Sequence, residues 1–202
     1  MKKKLYIELI FLILLGAFTS LSLPPFNYVI INFLTFSLLY IFFIKKLKSK
    51  KNKRLFFIYG WLFGFGYFVS NLYWISISLT FDQNFKFLIP FTVLFVPGFL
   101  ALFYALVAYL FVLLKPKNNL SSFFLFSLIF GITEFIRGSI LTGFPWNLIA
   151  YSFSNQIEIL NITSIIGTYS FNLFCISLFT SPSIFILREN KKDISICVAF
   201  LI

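Results

Sequence analysis

The sequence predicts an all-α polytopic membrane protein, and three observations carry that prediction. Of its 202 residues, 60% are hydrophobic and only 11% are charged, whereas a soluble domain is near half apolar and a quarter charged. The apolar residues are gathered into runs of bilayer length, a spanning helix needing roughly 20 mostly apolar positions. The cationic residues fall on alternate loops between those runs, as they do when positive charge is retained on one side of a membrane.

Taken in order, six runs are complete and a seventh begins. The first, residues 5–23, follows Lys2, Lys3 and Lys4 and stops at Pro24-Pro25. The second, 26–44, ends at the basic stretch "KKLKSKKNKR" over 45–54. The third, 55–79, ends in the polar-aromatic string "SNLYWISIS". The fourth, 88–114, contains Pro97 and ends before Lys115 and Lys117. The fifth, 120–136, stops at Arg137, and the sixth, 159–187, contains Pro182 and stops at Arg188. The third, fourth and sixth exceed the length needed, which predicts tilt or kinks, with Pro97 and Pro182 as the kink positions. A seventh run opens at Ile194 and reaches only Ile202. A helix stopped there would leave backbone groups unsatisfied in lipid, so the sequence is expected to be a piece of a longer or interrupted coding sequence. No internal repeat stands out.

Charge sets the expected topology. Fifteen of the seventeen Lys and Arg fall on one set of loops, and only Lys86 and Arg137 on the other. The amino terminus is therefore expected in the cytoplasm, with segment 137–156 facing outward. The first run is expected to stay as a helix rather than be cleaved as a signal peptide. It is long, and no small-x-small site precedes Pro24.

The same placement sets aside a nucleic-acid partner for the net charge of +11. The basic residues sit in juxtamembrane loops without interleaved aromatics, where anionic lipid headgroups are the natural contact. Cys175 and Cys197 lie in apolar runs and the chain has no histidine, so neither a metal site nor a disulfide framework is expected. No cofactor is expected either.

One stretch stands apart. In "TEFIRGSILTGFPWNLIAYS", residues 133–152, Glu134 and Arg137 lie i, i+3 and share a helix face. Charges inside a membrane protein point into the bundle or a polar cavity and mark functional positions. A pair that only neutralises itself near the interface is the alternative. Arg137 would suit either a phosphate or a structural carboxylate, because its planar fork matches both. Gly143, Phe144 and Pro145 cannot continue the helix, so a rigid turn is expected there, with Trp146 at headgroup depth. Such irregular backbone persists only when it packs on protein or lines a cavity. Asn71, Tyr73 and Trp74 are expected on the same outer side, as an opposing wall or as an ordinary aromatic belt. Asn161, Thr163, Tyr169 and Asn172 read as interhelical hydrogen-bonding residues near the outer end of the sixth helix.

These stretches, with "GWLFGFGYFVSNLYWISIS" (60–78) and "LPPFN" (23–27), resemble the membrane region of the apolipoprotein N-acyltransferases. Glu134, Arg137, Gly138, Thr142, Gly143, Phe144, Pro145, Trp146 and Tyr151 fall on the family's longest motif. The resemblance implies transfer of an acyl chain from a phospholipid to the amino group of a diacylglyceryl-modified cysteine, at the outer face of a bacterial inner membrane. It implies a phospholipid donor, a lipoprotein acceptor and membrane lipids as partners. In that family the chemistry belongs to a nitrilase-like domain with a Glu-Lys-Cys set, which this sequence lacks and a separate chain could supply. Cys175 and Cys197 sit on apolar helices and do not match that set, so no residue here is expected to be catalytic. Two other readings stand beside this one: a non-catalytic remnant or membrane scaffold, and a small transporter, which would favour broken helices at the midplane and internal symmetry.

Overall fold

In the computed structural model the description covers residues 2–49, 52–114, 118–140 and 143–188, with 195, 198 and 199 beyond them. The chain is helical in these parts, with no strand among the described residues. The main helices are α1 (Lys2–Ser20), α2 (Ile30–Ser49), α3 (Lys53–Leu72), α4 (Ile89–Leu114) and α5 (Asn119–Ser139). Short turns α6 (Ile157–Leu160) and α7 (Thr163–Ile166) then lead into α8 (Thr168–Thr180) and α9 (Pro182–Leu187).

Local chemistry explains several of these boundaries. Asn52 precedes α3, and its side-chain oxygen accepts the Arg54 and Leu55 amides at 3.1 and 3.3 Å. Asn118 does the same for Ser121 at 2.8 Å before α5. Each satisfies amide donors that have no intrahelical partner. Pro97 stays inside α4, whereas Pro182 opens α9, directly after Ser181.

The structure departs from the sequence expectation in three places. The first two helices stop and start earlier and later than 23 and 26, because residues 21–29 form a turn segment around Pro24-Pro25. The third run is α-helical only to Leu72 and tightens into 3₁₀ turns over Tyr73–Thr80, followed by a second 3₁₀ piece, Gln83–Leu88. The sixth run is broken, not continuous: Gly167 has φ +83°, which no α-helix accommodates, so helix resumes only at Thr168. The seventh run lies almost wholly outside the described residues.

Five described helical stretches are long and apolar enough to cross a membrane: Ile30–Ser49, Lys53–Thr80, Gln83–Leu114, Asn119–Ser139 and Thr168–Leu187. The chain is thus a multi-pass α-helical membrane protein. The expected count was six. The difference is α1, whose 19 residues include Lys3, Lys4 and Glu8 in the first two turns, leaving a shorter purely apolar part.

Packing follows the small residues. Lipid tails are as apolar as leucine, so helices associate through close contact and not through exclusion from water. Gly60 and Gly64 on α3 face Tyr104, Ala105, Ala108 and Ala101 of α4, while Gly66 meets the Ile13 backbone of α1 and Gly16 of α1 meets Phe63. Between α2, α4 and α5 lies a ladder of aromatic rings. Phe36 and Phe130 are 5.5 Å apart, Tyr104 and Phe130 4.8 Å, Tyr40 and Phe126 5.4 Å, and Phe111 and Phe126 5.8 Å. Most of these contacts are tilted or edge-on, the arrangements that ring quadrupoles favour.

The two ends of the bundle differ in chemistry. At one end Glu8 of α1 pairs with Lys46 of α2 and accepts a 2.9 Å hydrogen bond from the Tyr59 hydroxyl of α3. Lys46 also stands over the Phe42 and Tyr59 rings. Lys3, Lys4, Lys45, Lys53 and Arg54 are exposed at this end. The opposite end, where α1, α3 and α5 finish, carries the turn segments.

Candidate functional site

At the turn-rich end, α5 finishes at Ser139, and the chain reverses through residues 143–147. Gly143 takes φ +73° and Asn147 φ +60°; glycine and asparagine are the residues that tolerate this region best. The Phe144 amide donates back to the Arg137 carbonyl at 3.0 Å, which folds the turn over the end of its own helix.

Arg137 lies beneath that turn and is 1% exposed. One guanidinium nitrogen, Nη1, donates to the carbonyls of Phe144 and Trp146 at 2.8 and 2.9 Å. The other, Nη2, is paired with the carboxylate of Glu134, itself fully buried. The Phe68 ring lies 5.3 Å from the guanidinium carbon and the Phe144 ring 5.9 Å, close enough for cation–π attraction. Tyr67 of α3 donates its hydroxyl to the Asn147 carbonyl at 2.7 Å. The rings of Tyr67 and Tyr104 stack at 5.8 Å beside the ion pair.

The turn borders two spaces. On one side is a groove of about 540 Å³. Pro145, Trp146 and Asn147 form one wall; Ser70, Asn71, Tyr73 and Trp74 at the end of α3 form another; Leu23, Pro24, Pro25 and Phe26 form a third. Ser20, Tyr151 and Ser154 complete it. On the other side Arg137, Gly143 and Phe144 border a smaller cavity of about 170 Å³, closed by Phe95, Val96, Phe99, Leu100 and Phe103 of α4. Phe95 and Phe99 also line an apolar trough on the α3–α4 surface with Trp61, Phe65 and Phe91.

The structure thus brings Asn71, Tyr73, Trp74, Pro145, Trp146 and Tyr151 into one groove and places Arg137, Gly143 and Phe144 on the far side of the turn. Glu134 borders neither space; it stands behind Arg137. Thr142 lies outside the described residues, as does Cys197. Cys175 is fully buried in α8.

Several residues that shape the groove were not singled out from the sequence for that role. Asn27 accepts the Ser154 hydroxyl at 2.8 Å, which ties the 23–27 loop to the 149–153 turn. Asn172 of α8 accepts the Ala150 amide at 3.0 Å. Tyr67 carries no sequence signal, since a tyrosine in an apolar run reads as core. Burial, reinforced by Tyr169, holds the Tyr151 phenol above its ordinary pKa, and the Arg137 cation opposes this; the groove therefore meets a neutral hydroxyl there.

Asn172 offers a direct check. Substitution by leucine leaves the buried Ala150 amide without its acceptor and is expected to cost about 1–3 kcal/mol. Thermal unfolding in detergent micelles measures this, and an unchanged midpoint would remove Asn172 as an anchor of the groove.

Comparison with known proteins agrees with this architecture. Residues 15–179 match the family described as the apolipoprotein N-acyltransferase N-terminal domain. The apolipoprotein N-acyltransferase of Rhizobium etli is 33% identical over 184 residues, covering 88% of this chain and 34% of that protein. Those of Brucella melitensis and Rhodopseudomonas palustris are 36% and 35% identical, over 84% and 86% of this chain and 33% of each relative. The chain spans about a third of the length of these relatives. Given a matching region that includes four of the five spanning stretches, nearly all of α8 and every wall of the groove, the chain belongs to the apolipoprotein N-acyltransferase N-terminal domain family.

Proposed function

We propose that this chain is the substrate-holding membrane half of an enzyme that moves an acyl chain from a phospholipid to the amino group of a diacylglyceryl-modified cysteine on a lipoprotein. It sits in a bacterial inner membrane with the amino terminus in the cytoplasm and the groove at the outer face. The cationic end of the bundle supports that orientation: Lys3, Lys4, Lys45, Lys53 and Arg54 lie at the end opposite the groove, and along the sequence fifteen of the seventeen Lys and Arg fall on one set of alternate loops.

The observation that carries the reading is the groove itself. Three stretches distant in sequence meet there, and the walls alternate aromatic rings with amides and hydroxyls. Both proposed substrates are amphiphiles, with hydrocarbon chains joined to a polar glyceryl or phosphate head. Rings with one polar edge, such as Tyr73, Trp74 and Trp146, suit that boundary. Asn71 and Tyr151 supply polar contacts to the head. Glu134, Arg137, Gly143 and Phe144 shape the turn on which one wall is built. The part of this chain in the reaction is to hold and orient, because proximity and alignment lower the barrier for a reacting group positioned by another domain.

The test is direct binding. With the chain in nanodiscs, a short diacylglyceryl-cysteinyl peptide is expected to alter tryptophan emission saturably. Trp146→Ala is expected to weaken the apparent affinity about tenfold, equivalent to ~1.4 kcal/mol, with Trp61→Phe neutral. No saturable change in the parent chain would overturn the reading.

A further inference from the structure

We infer that Arg137 and Tyr67 are positioning residues, whose buried donors hold the 143–147 turn as a fixed partition between the polar groove and the lipid-side cavity, and that Arg137 does not itself bind substrate. The inference deepens the proposed function, on whose reading of the groove it rests.

The argument starts from donors and acceptors. The turn contains Pro145, which lacks an N–H, and two residues at positive φ, so its carbonyls cannot be satisfied in helical fashion. Three of them are met from below: Phe144 and Trp146 by a single guanidinium nitrogen, and Asn147 by the Tyr67 hydroxyl. Buried carbonyls in lipid need such partners. The planar guanidinium does something an ammonium cannot: its two Nη groups point along fixed directions, one toward the carbonyls and one toward Glu134. Both Nη groups are thereby engaged within the protein, and the side chain is 1% exposed. The Nε–H has no partner among the described residues, but it is enclosed with the rest of the side chain. A substrate phosphate reaching the Nη groups would have to displace either the Glu134 carboxylate or the turn.

The partition follows from which residues face which space. Trp146 and Pro145 face the groove, while Phe144 and Gly143 face the cavity whose other wall is α4. Successive residues of one turn thus separate a polar-aromatic space from one that continues, past Phe95 and Phe99, into the lipid-facing trough. A turn that swung by one residue would join the two spaces.

The experiment uses the chain in nanodiscs in a Trp61→Phe, Trp74→Phe background, so that Trp146, the third tryptophan of the chain, reports alone. Arg137→Lys keeps the charge facing Glu134 but loses the fork; Tyr67→Phe removes only the hydroxyl. Nanosecond anisotropy decay of Trp146 is expected to gain a fast component, with the limiting anisotropy falling about twofold in Arg137→Lys and less in Tyr67→Phe, while far-UV circular dichroism stays helical. An unchanged decay in both folded variants would overturn the inference. If Arg137→Lys does not fold, Tyr67→Phe decides alone: a fast component upholds the inference and an unchanged decay overturns it. No lipopeptide is present, so this result and the binding result above can fail separately.

Discussion

Replacing Arg137 with methionine is expected to destabilise the folded chain by about 3–5 kcal/mol, the cost typical of removing one partner from a buried ion pair. Glu134 is fully buried and its partner is this guanidinium. Without it a carboxylate remains in a low-dielectric interior, and two turn carbonyls lose their donor. The double variant Glu134→Gln, Arg137→Met separates the two effects. Neutralising the acid is expected to recover the charge-related part of the loss, leaving about 1–3 kcal/mol from the unsatisfied carbonyls. Unfolding of the micelle-embedded chain by SDS titration measures both. A single variant as stable as the parent would show that the pair contributes nothing, and a double variant no better than the single would place the whole loss in the turn.

The second large effect is expected where α1 crosses α3. A Cβ on Gly66 would run into the Ile13 carbonyl, a backbone atom that cannot turn aside. Even alanine there must push the helices apart, at about 1–3 kcal/mol for an overpacked contact. Gly66→Leu is expected to prevent the α1–α3 contact altogether. Gly98 on α4 is the contrast: a Cβ there meets only Trp61, at an ordinary 3.7 Å. Gly98→Ala should be neutral or stabilising by up to ~1 kcal/mol, through helix propensity. Equal melting shifts for Gly66→Ala and Gly98→Ala would contradict close approach as the basis of this packing.

Much of the fold was legible because the bilayer is an unforgiving solvent. Backbone groups in hydrocarbon must bond within the segment, so long apolar runs become helices, and the runs at 88–114 and 120–136 were read within a few residues of α4 and α5. The pair Glu134–Arg137 and the Gly-Phe-Pro-Trp turn were visible because their chemistry is local: a helical spacing of three, then residues that cannot continue a helix. Contacts between distant residues left no such mark. Glu8, Lys46 and Tyr59 come together from three helices, and Asn27 meets Ser154 across more than a hundred residues. The break at Gly167 was missed for a related reason. Glycine is tolerated within an apolar helix, and only the folded chain shows the helix interrupted at Gly167, between α7 and α8.

By itself the sequence determined the solvent, the helical class, the segregation of positive charge and the position of one non-helical turn, since each depends on composition or on neighbours within a few residues. Tertiary structure decided what the turn does. Only the folded bundle shows that the Nη groups of Arg137 meet the carbonyls of residues 144 and 146 and the Glu134 carboxylate, that Tyr67 completes the support, and that the 23–27 loop and the end of α3 close a groove around Trp146. The physical reason is range: apolarity and backbone angles act locally along the chain, whereas the partner of a buried hydrogen bond is chosen by whichever helix packs against it.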